Sequence, residues 1–426
     1  MGAVRRCGLE TQGGCLIRGK KVKAKTIEGG VCAAKGFRAA GVPAAIKYKG
    51  RNDVALVVAD VPCAAAAVFT TNAVAAAPVV YDREVVRGGK VQAILANSGC
   101  ANACTGPQGL ADVRRSAEET AKTLGIDPKL VLVASTGVIG HPMPMDRLVA
   151  GMKDAASRLA ATPEAGLEAE KAVMTTDTKP KQAAVQVRIG GRTVTVGGMC
   201  KGSGMIEPNM ATMLGFITTD AAITSAMLRR ALRKAIAVSF NHVVVDGDES
   251  TNDSVFLLAS GAAGNPVIAS AGPDFDAFEE ALTVVGVSLA RQMAADGEGA
   301  TKYVEVTVRN AKTQRDADRA ARAIAKSPLA KTSWFGKDPN WGRVLAAVGY
   351  SGAAVDDRKA EVFYGKTWAY RRGKVADAAQ LAKLAREMDG AELKVTVDLH
   401  LGNFLSTIYT CDFSLDYVHI NADYTT

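Results

Sequence analysis

Histidine is scarce in this 426-residue chain, with four copies, and the eight cysteines include no Cys-x-x-Cys pair. Metal centres draw on those residues, and the one close pair, Cys100 and Cys104, is short of partners, so no metal is expected. The phosphate loops G-x-G-x-x-G and G-x-x-x-x-G-K-S/T are absent, and "WFGKDPNWGR" holds a Gly-Lys without the rest of such a cradle. Absent too are the G-x-S-x-G elbow and H-E-x-x-H, which removes the common serine-hydrolase and zinc-protease routes. No apolar run reads as a bilayer span. The longest uncharged window, Val61 to Tyr81, is broken by Thr70-Thr71-Asn72 and Pro78 and owes much of its bulk to alanine, so it reads as buried core. With no secretory signal, the thiols are expected to be reduced and the protein cytoplasmic.

The net charge of +9 is local. Eleven of the 52 basic residues and two of the 43 acidic ones fall in residues 1–50, leaving 41 of each in the rest. A neutral body offers no broad basic face for counterion-release binding, so nucleic acid is excluded as a partner. The basic leader, about residues 1–27, holds five glycines and no serine in its first 25 residues, unlike a transit peptide, and reads as a solvated tail.

What is present is alternation. Amphipathic helices are expected over Gln108–Leu124, Met145–Leu159, Thr224–Val238, Phe275–Ala295, Thr313–Lys326 and Ala376–Met388. Thr224 is placed to cap its helix, and Gly297 stands where a left-handed residue is favoured. Strands are expected over Leu130–Ala134, Ala184–Ile189, Thr193–Val196, Thr212–Thr218, Val243–Val245, Lys302–Val308, Glu392–Leu399 and Phe404–Cys411. Interleaved helices and strands make an α/β (α+β) chain. The strongest backbone punctuation near the middle is "KGSGMIEPN", directly before the apolar run "TMLGFIT"; any division of the chain is expected there.

That junction puts a hydroxyl residue, Thr212, at the head of a strand. Elsewhere "LVLVASTGVIG" runs from a strand into Ser-Thr-Gly, where backbone N–H groups converge, and "VVVDGDESTNDS" reads as an acidic loop closing a strand because its carboxylates miss the calcium-loop spacing. "TTDTKPK" and "DGEGATK" are short polar loops which, taken singly, read as a cap and a helix stop.

Together, "KGSGMIEPNMATML", "ASTGVIG", "TTDTKPK", "DGDESTND", "DGEGATK", "DPNWGR" and the ending "HINADYTT" make the chain resemble the ornithine acetyltransferases of arginine biosynthesis over Asn97 to Thr426, with "GGVCAAKGFRAAG" and "DVPCAAAAVFTTN" fitting upstream. Cys100, Glu249 and the basic leader depart from the family's usual pattern. The resemblance implies an αββα sandwich that cuts itself between Ala211 and Thr212. It also implies an α chain of residues 1–211 and a β chain of 212–426, assembled as an α2β2 heterotetramer.

By the same resemblance, Thr212 is the nucleophile, with its freed α-amine as base, and Thr136 and Gly137 form the oxyanion hole. Thr175, Lys201, Thr212, Glu298, Asn421 and Thr426 bind substrate. The implied reaction moves acetyl from N2-acetylornithine to L-glutamate by ping-pong transfer with no cofactor, and leaves open whether acetyl-CoA also serves as a donor. Two rival readings are an autoproteolytic amidase or aminopeptidase that uses water as acceptor, and a non-catalytic binding module with a basic tail.

Overall fold

The computed structural model describes residues 24–207 and 213–423, with the backbone of residues 16–17 and 20–21. Among the described residues the main sheet has nine strands. Eight follow one path: Lys25–Ile27, Lys181–Ile189, Arg192–Lys201, Leu214–Thr219, Ser254–Ala259, Val54–Phe69, Lys90–Asn97 and Val131–Ser135. Phe37–Val42 pairs with the first part of the long strand Val54–Phe69.

That long strand bends the sheet. Its register against Lys90–Asn97 breaks between Val58 and Cys63, and Asp60, Val61 and Pro62 turn out to solvent. The early half pairs with Phe37–Val42 and the late half with Ser254–Ala259, so one chain segment belongs to two leaves. Between the leaves lies a core of small and aromatic side chains, among them Ala55, Val57, Ile94, Met199 and Leu214, with Phe216 stacked on Phe256 at 5.7 Å. Helices Ser225–Ala237 and Pro273–Ala295 cover one outer face, while Gly106–Leu124 and Met145–Ser157 cover the other. The layers therefore run helix, sheet, sheet, helix, as expected. The window Val61 to Tyr81 becomes the late strand, a connection and the start of helix Ala77–Val85, rather than one continuous core element.

A second sheet of seven strands is built wholly from the later half of the chain, in the order Val243–Val244, Phe404–Cys411, Tyr303–Ala311, Glu392–Asp398, Glu361–Tyr364, Thr367–Arg371 and Lys374–Val375. It packs against Gln314–Lys326, Pro328–Phe335, Trp341–Tyr350 and Ala378–Met388 around Ile324, Trp334, Val348 and Tyr364. Helix Pro273–Ala295 touches both sheets and joins the two cores.

All six expected helices form, with ends within two residues, and Thr224 caps Ser225–Ala237 by accepting the Met227 amide. The Gly297 expectation is corrected: the left-handed residue is Gly299, at φ +65°. Gly297 is required for space instead, since a Cβ there would lie 2.7 Å from the Cys411 sulfur. Among the described residues no helix is long and apolar enough to cross a membrane.

Candidate active site

The strand Val131–Ser135 is buried along its whole length and delivers Thr136 and Gly137 to the end of the sheet. Gly137 sits at φ +124°, and a Cβ on it would fall 2.5 Å from the Gly99 carbonyl carbon, so only glycine allows this close approach. The turn is pinned from below: Ser135 Oγ donates to Asn97 Oδ1 at 2.7 Å, and the Asn252 amide donates to the carbonyls of Ala101 and Ser135 at 2.6 and 2.9 Å. Lys201, the last residue of Arg192–Lys201, extends its Nζ to Thr136 Oγ1 at 3.4 Å. A hydroxyl that accepts from an ammonium keeps its own proton free to donate.

Opposite, Glu298 follows helix Pro273–Ala295 and meets the Asn421 amide at 2.8 Å, and Gly204 has no room for a Cβ because the Glu298 carboxyl fills it. Thr136, Gly137, Thr175, Lys201, Glu298 and Asn421 line one cavity of about 150 Å³. Met213 and Leu214, which directly follow Thr212 in the chain, line it too. Ala211, Thr212 and Thr426 lie outside the described residues. The structure thus brings together every described residue that the sequence singled out.

Three charged residues behind the cavity escaped the sequence reading. Lys181 Nζ donates to Asp177 Oδ1 at 2.7 Å and Asp296 Oδ2 at 2.6 Å, with all three side chains at most 5% exposed. Asp177 also takes the amides of Thr175 and Gly202, and Asp296 takes those of Thr178 and Lys179. The cluster therefore clamps the loop carrying Thr175 to the loop carrying Glu298. Burial would raise the Asp177 carboxyl, but Lys201, Lys181 and its hydrogen bonds outweigh that and hold it down to about 2. For Lys181, burial pulls down while the two aspartates prevail and raise it. These residues stand inside "TTDTKPK" and "DGEGATK", where spacing alone says nothing of their meeting in space. Arg51, which donates to the carbonyls of Met174 and Thr175, gave no sequence signal.

Asp253 is a different case. It lines the cavity at 2% exposure, together with Ser250 and Met213, and keeps Oδ2 without a partner or solvent. Burial pushes its carboxyl well above the ordinary range; Ser250, Lys201 and the Met213 amide oppose the shift without reversing it.

The ArgJ family model matches residues 38–426. An "Arginine biosynthesis bifunctional protein ArgJ" of Symbiobacterium thermophilum is 53% identical over 404 residues, covering 94% of this chain and 99% of the relative. The protein of that name from Geobacter sulfurreducens is 48% identical, covering 92% of this chain and 99% of the relative. Among solved structures, an ornithine acetyltransferase complexed with ornithine from Mycobacterium tuberculosis is 44% identical, covers 44% of this chain and 100% of that chain, and superposes with a TM-score of 0.42. With nearly its whole length matched by the family model and by relatives about half identical to it, this chain belongs to the ArgJ family.

Proposed function

We propose that the chain is the ornithine acetyltransferase of arginine biosynthesis, a self-processed acyltransferase that carries acetyl from N2-acetylornithine to L-glutamate on Thr212. The observation that carries this reading is the single cavity in which Thr136, Gly137, Thr175, Lys201, Glu298 and Asn421 converge beside Met213. Cleavage begins with attack of the Thr212 hydroxyl on the Ala211 carbonyl, which turns the peptide bond into an ester; water then hydrolyses the ester and leaves Thr212 with a free α-amine. An α-amine has an unperturbed pKa of about 7.7–8.0, so it can take the hydroxyl proton during attack on substrate.

In transfer, Thr212 Oγ adds to the acetyl carbonyl and the negative oxygen is received by the Thr136 hydroxyl and the Gly137 amide. No hydrogen bond among the described residues uses that amide. The protonated amine returns its proton to the departing ornithine nitrogen, and the acetyl-threonine ester is then attacked by the amine of glutamate. Lys201 suits a carboxylate, while Glu298 with Asn421 suits an ammonium, as amino-acid substrates require. The rival amidase reading is not favoured, because the family to which the chain belongs, and relatives 48–53% identical, carry the arginine-biosynthesis name.

We extend the reading to acetyl-CoA as a second donor, which the word bifunctional in the relatives' name supports. Cytoplasmic location and an α2β2 assembly complete it. Strands Leu214–Thr219 and Ser254–Ala259 lie between Arg192–Lys201 and Val54–Phe69, so fragments 1–211 and 212–426 would remain interleaved in one sheet after cleavage. Purified protein is expected to run as two fragments of 211 and 215 residues, the second starting Thr-Met-Leu by N-terminal sequencing. A single uncut band, or a different starting residue, defeats the assignment of Thr212.

A further inference from the structure

The turn that carries Thr136 and Gly137 is gripped on both sides by one side chain from a distant loop. The peptide bond ahead of Thr136 is held at both ends: the Ser135 carbonyl takes Asn252 Nδ2 at 2.9 Å, and the Thr136 amide donates to the Asn97 carbonyl at 3.0 Å. The second bond of the same Asn252 nitrogen goes to the Ala101 carbonyl at 2.6 Å, and Ala101 in turn donates its amide to the Val138 carbonyl at 2.9 Å. Asn252 thus anchors the chain directly before Thr136 and, through Ala101, directly after Gly137. Thr251 orients the amide, since its hydroxyl donates to Asn252 Oδ1 at 2.6 Å, and both residues are buried.

Asparagine meets these demands where its isostere does not. Two carbonyls need two N–H donors on one nitrogen and the Thr251 hydroxyl needs an acceptor, whereas an aspartate carboxylate has no N–H to give. The backbone of the Asn252 loop is held by other groups: Thr70 Oγ1 donates to the Ser250 carbonyl, and the amides of Ala76 and Thr70 donate to the carbonyls of Thr251 and Asp253, each at 2.9 Å. Both donors of the Asn252 side chain are thus directed at the turn. We propose that Asn252 is a positioning residue for the oxyanion hole: by fixing the peptide plane before Thr136 it sets where the Thr136 hydroxyl and the Gly137 N–H point when negative charge develops on the acetyl oxygen. In the cut protein Asn252 belongs to fragment 212–426 and the turn to 1–211, so the hole of one fragment is aligned by a side chain of the other. This rests on Thr136 and Gly137 being the oxyanion pair of the reading above.

Asn252→Asp keeps the shape but sets an oxygen against two carbonyls, which tilts the turn. In the cut enzyme, turnover of acetyl transfer should fall about 10²-fold, because a shift of about 1 Å near the reacting atoms is enough for that, while KM for acetylornithine stays within about twofold. Thr136→Ala and Asn252→Asp act on the same hole, so the double variant should be slower than the parent by about 10²–10³-fold and not by the product of about 10⁴. Parent turnover in Asn252→Asp, a loss confined to KM, or losses that multiply in the double variant each overturns the proposal. If Asn252→Asp stays uncut, Thr251→Val decides, since it removes only the bond that orients the amide. That variant should be cut and show turnover lowered about tenfold at unchanged KM; parent turnover, a raised KM or an uncut chain overturns the proposal. Failure of the underlying reading looks different, because Thr136→Ala by itself would then keep the parent's turnover.

Discussion

The two sheets bury carboxyl groups on different terms. In the seven-stranded layer Asp398 faces Arg309 at 2.7 Å and the Asn310 amide at 2.9 Å, Glu361 faces Arg372 at 3.1 Å, and Asp412 takes the amides of Thr301 and Lys302. Every one is paired. In the nine-stranded half Asp82 and Asp253 each keep one carboxyl oxygen, and Glu170 both, with neither solvent nor partner. Such groups cost free energy, and a fold tolerates them where they serve another end. Asp253 stands in the cavity wall, Glu170 adjoins the Lys181 cluster, and Asp82 takes the amide of Val133 in the strand that leads to Thr136. The orphan carboxyls thus fall in the half that builds the site, whereas the unpartnered polar atoms of the seven-stranded layer, Trp334 Nε1, Tyr364 OH and Ser406 Oγ, carry no charge.

The sharpest way to break that contrast is at the nucleophile. Thr212→Ala is expected to stay one chain on a denaturing gel and to lose acetyl transfer altogether, whereas any stability-only substitution in the seven-stranded layer leaves both intact. Lys181→Met comes next, since it strands Asp177 and Asp296 without their cation. Breaking a buried pair in this way costs about 3–5 kcal/mol, read by denaturant unfolding, and should raise KM as the Thr175 and Glu298 loops separate. Thr136→Ala is expected to lower turnover about 10²-fold with KM little changed, because an oxyanion donor acts in the transition state. A loss confined to KM would move Thr136 to substrate binding.

Glu170→Gln tests the orphan carboxyls through pH. Burial raises Glu170 from 4.5 to about 8 in the fold, against the pull of Lys181. Between those values the unfolded chain has released a proton that the folded chain retains, so Glu170 subtracts stability as pH rises from 4.5 to 8. The glutamine variant should melt with the parent near pH 4.5 and above it near pH 8, with a gain of at most about 1.4 kcal/mol per pH unit. Equal melting at both values would show that Glu170 is ionised in the fold. The smallest effect is expected in the other layer: Ile324→Val, inside the Trp334 core, should cost about 0.5–1.5 kcal/mol and leave turnover and KM unchanged.

Much of this architecture is legible before folding. Helices such as Thr313–Lys326 declare themselves because alanines and Ile324 recur on one face, and strands such as Phe404–Cys411 appear at their true ends. Less legible is Val54–Phe69, whose alanine-rich run carries no period and whose late half looks like any apolar segment until two different partners split it between leaves. The same holds for Trp341–Tyr350 and Pro328–Phe335, short helices whose burial is set by neighbours.

By itself the sequence determined the class of chain and the set of motifs that carry its family, because glycine-rich turns and polar loops are local chemistry. Gly137 is an example: its need for φ +124° can be met only by glycine, whatever surrounds it. Tertiary structure alone decided that Asp177 and Asp296, 119 positions apart, share one lysine, and that Asp253 stands in the wall of the same cavity as Thr136 and Lys201. Electrostatic energy depends on distance and burial, and neither is written in the order of residues. A loop that reads singly as a helix stop becomes half of a clamp only when the fold brings its charge out of water and against another.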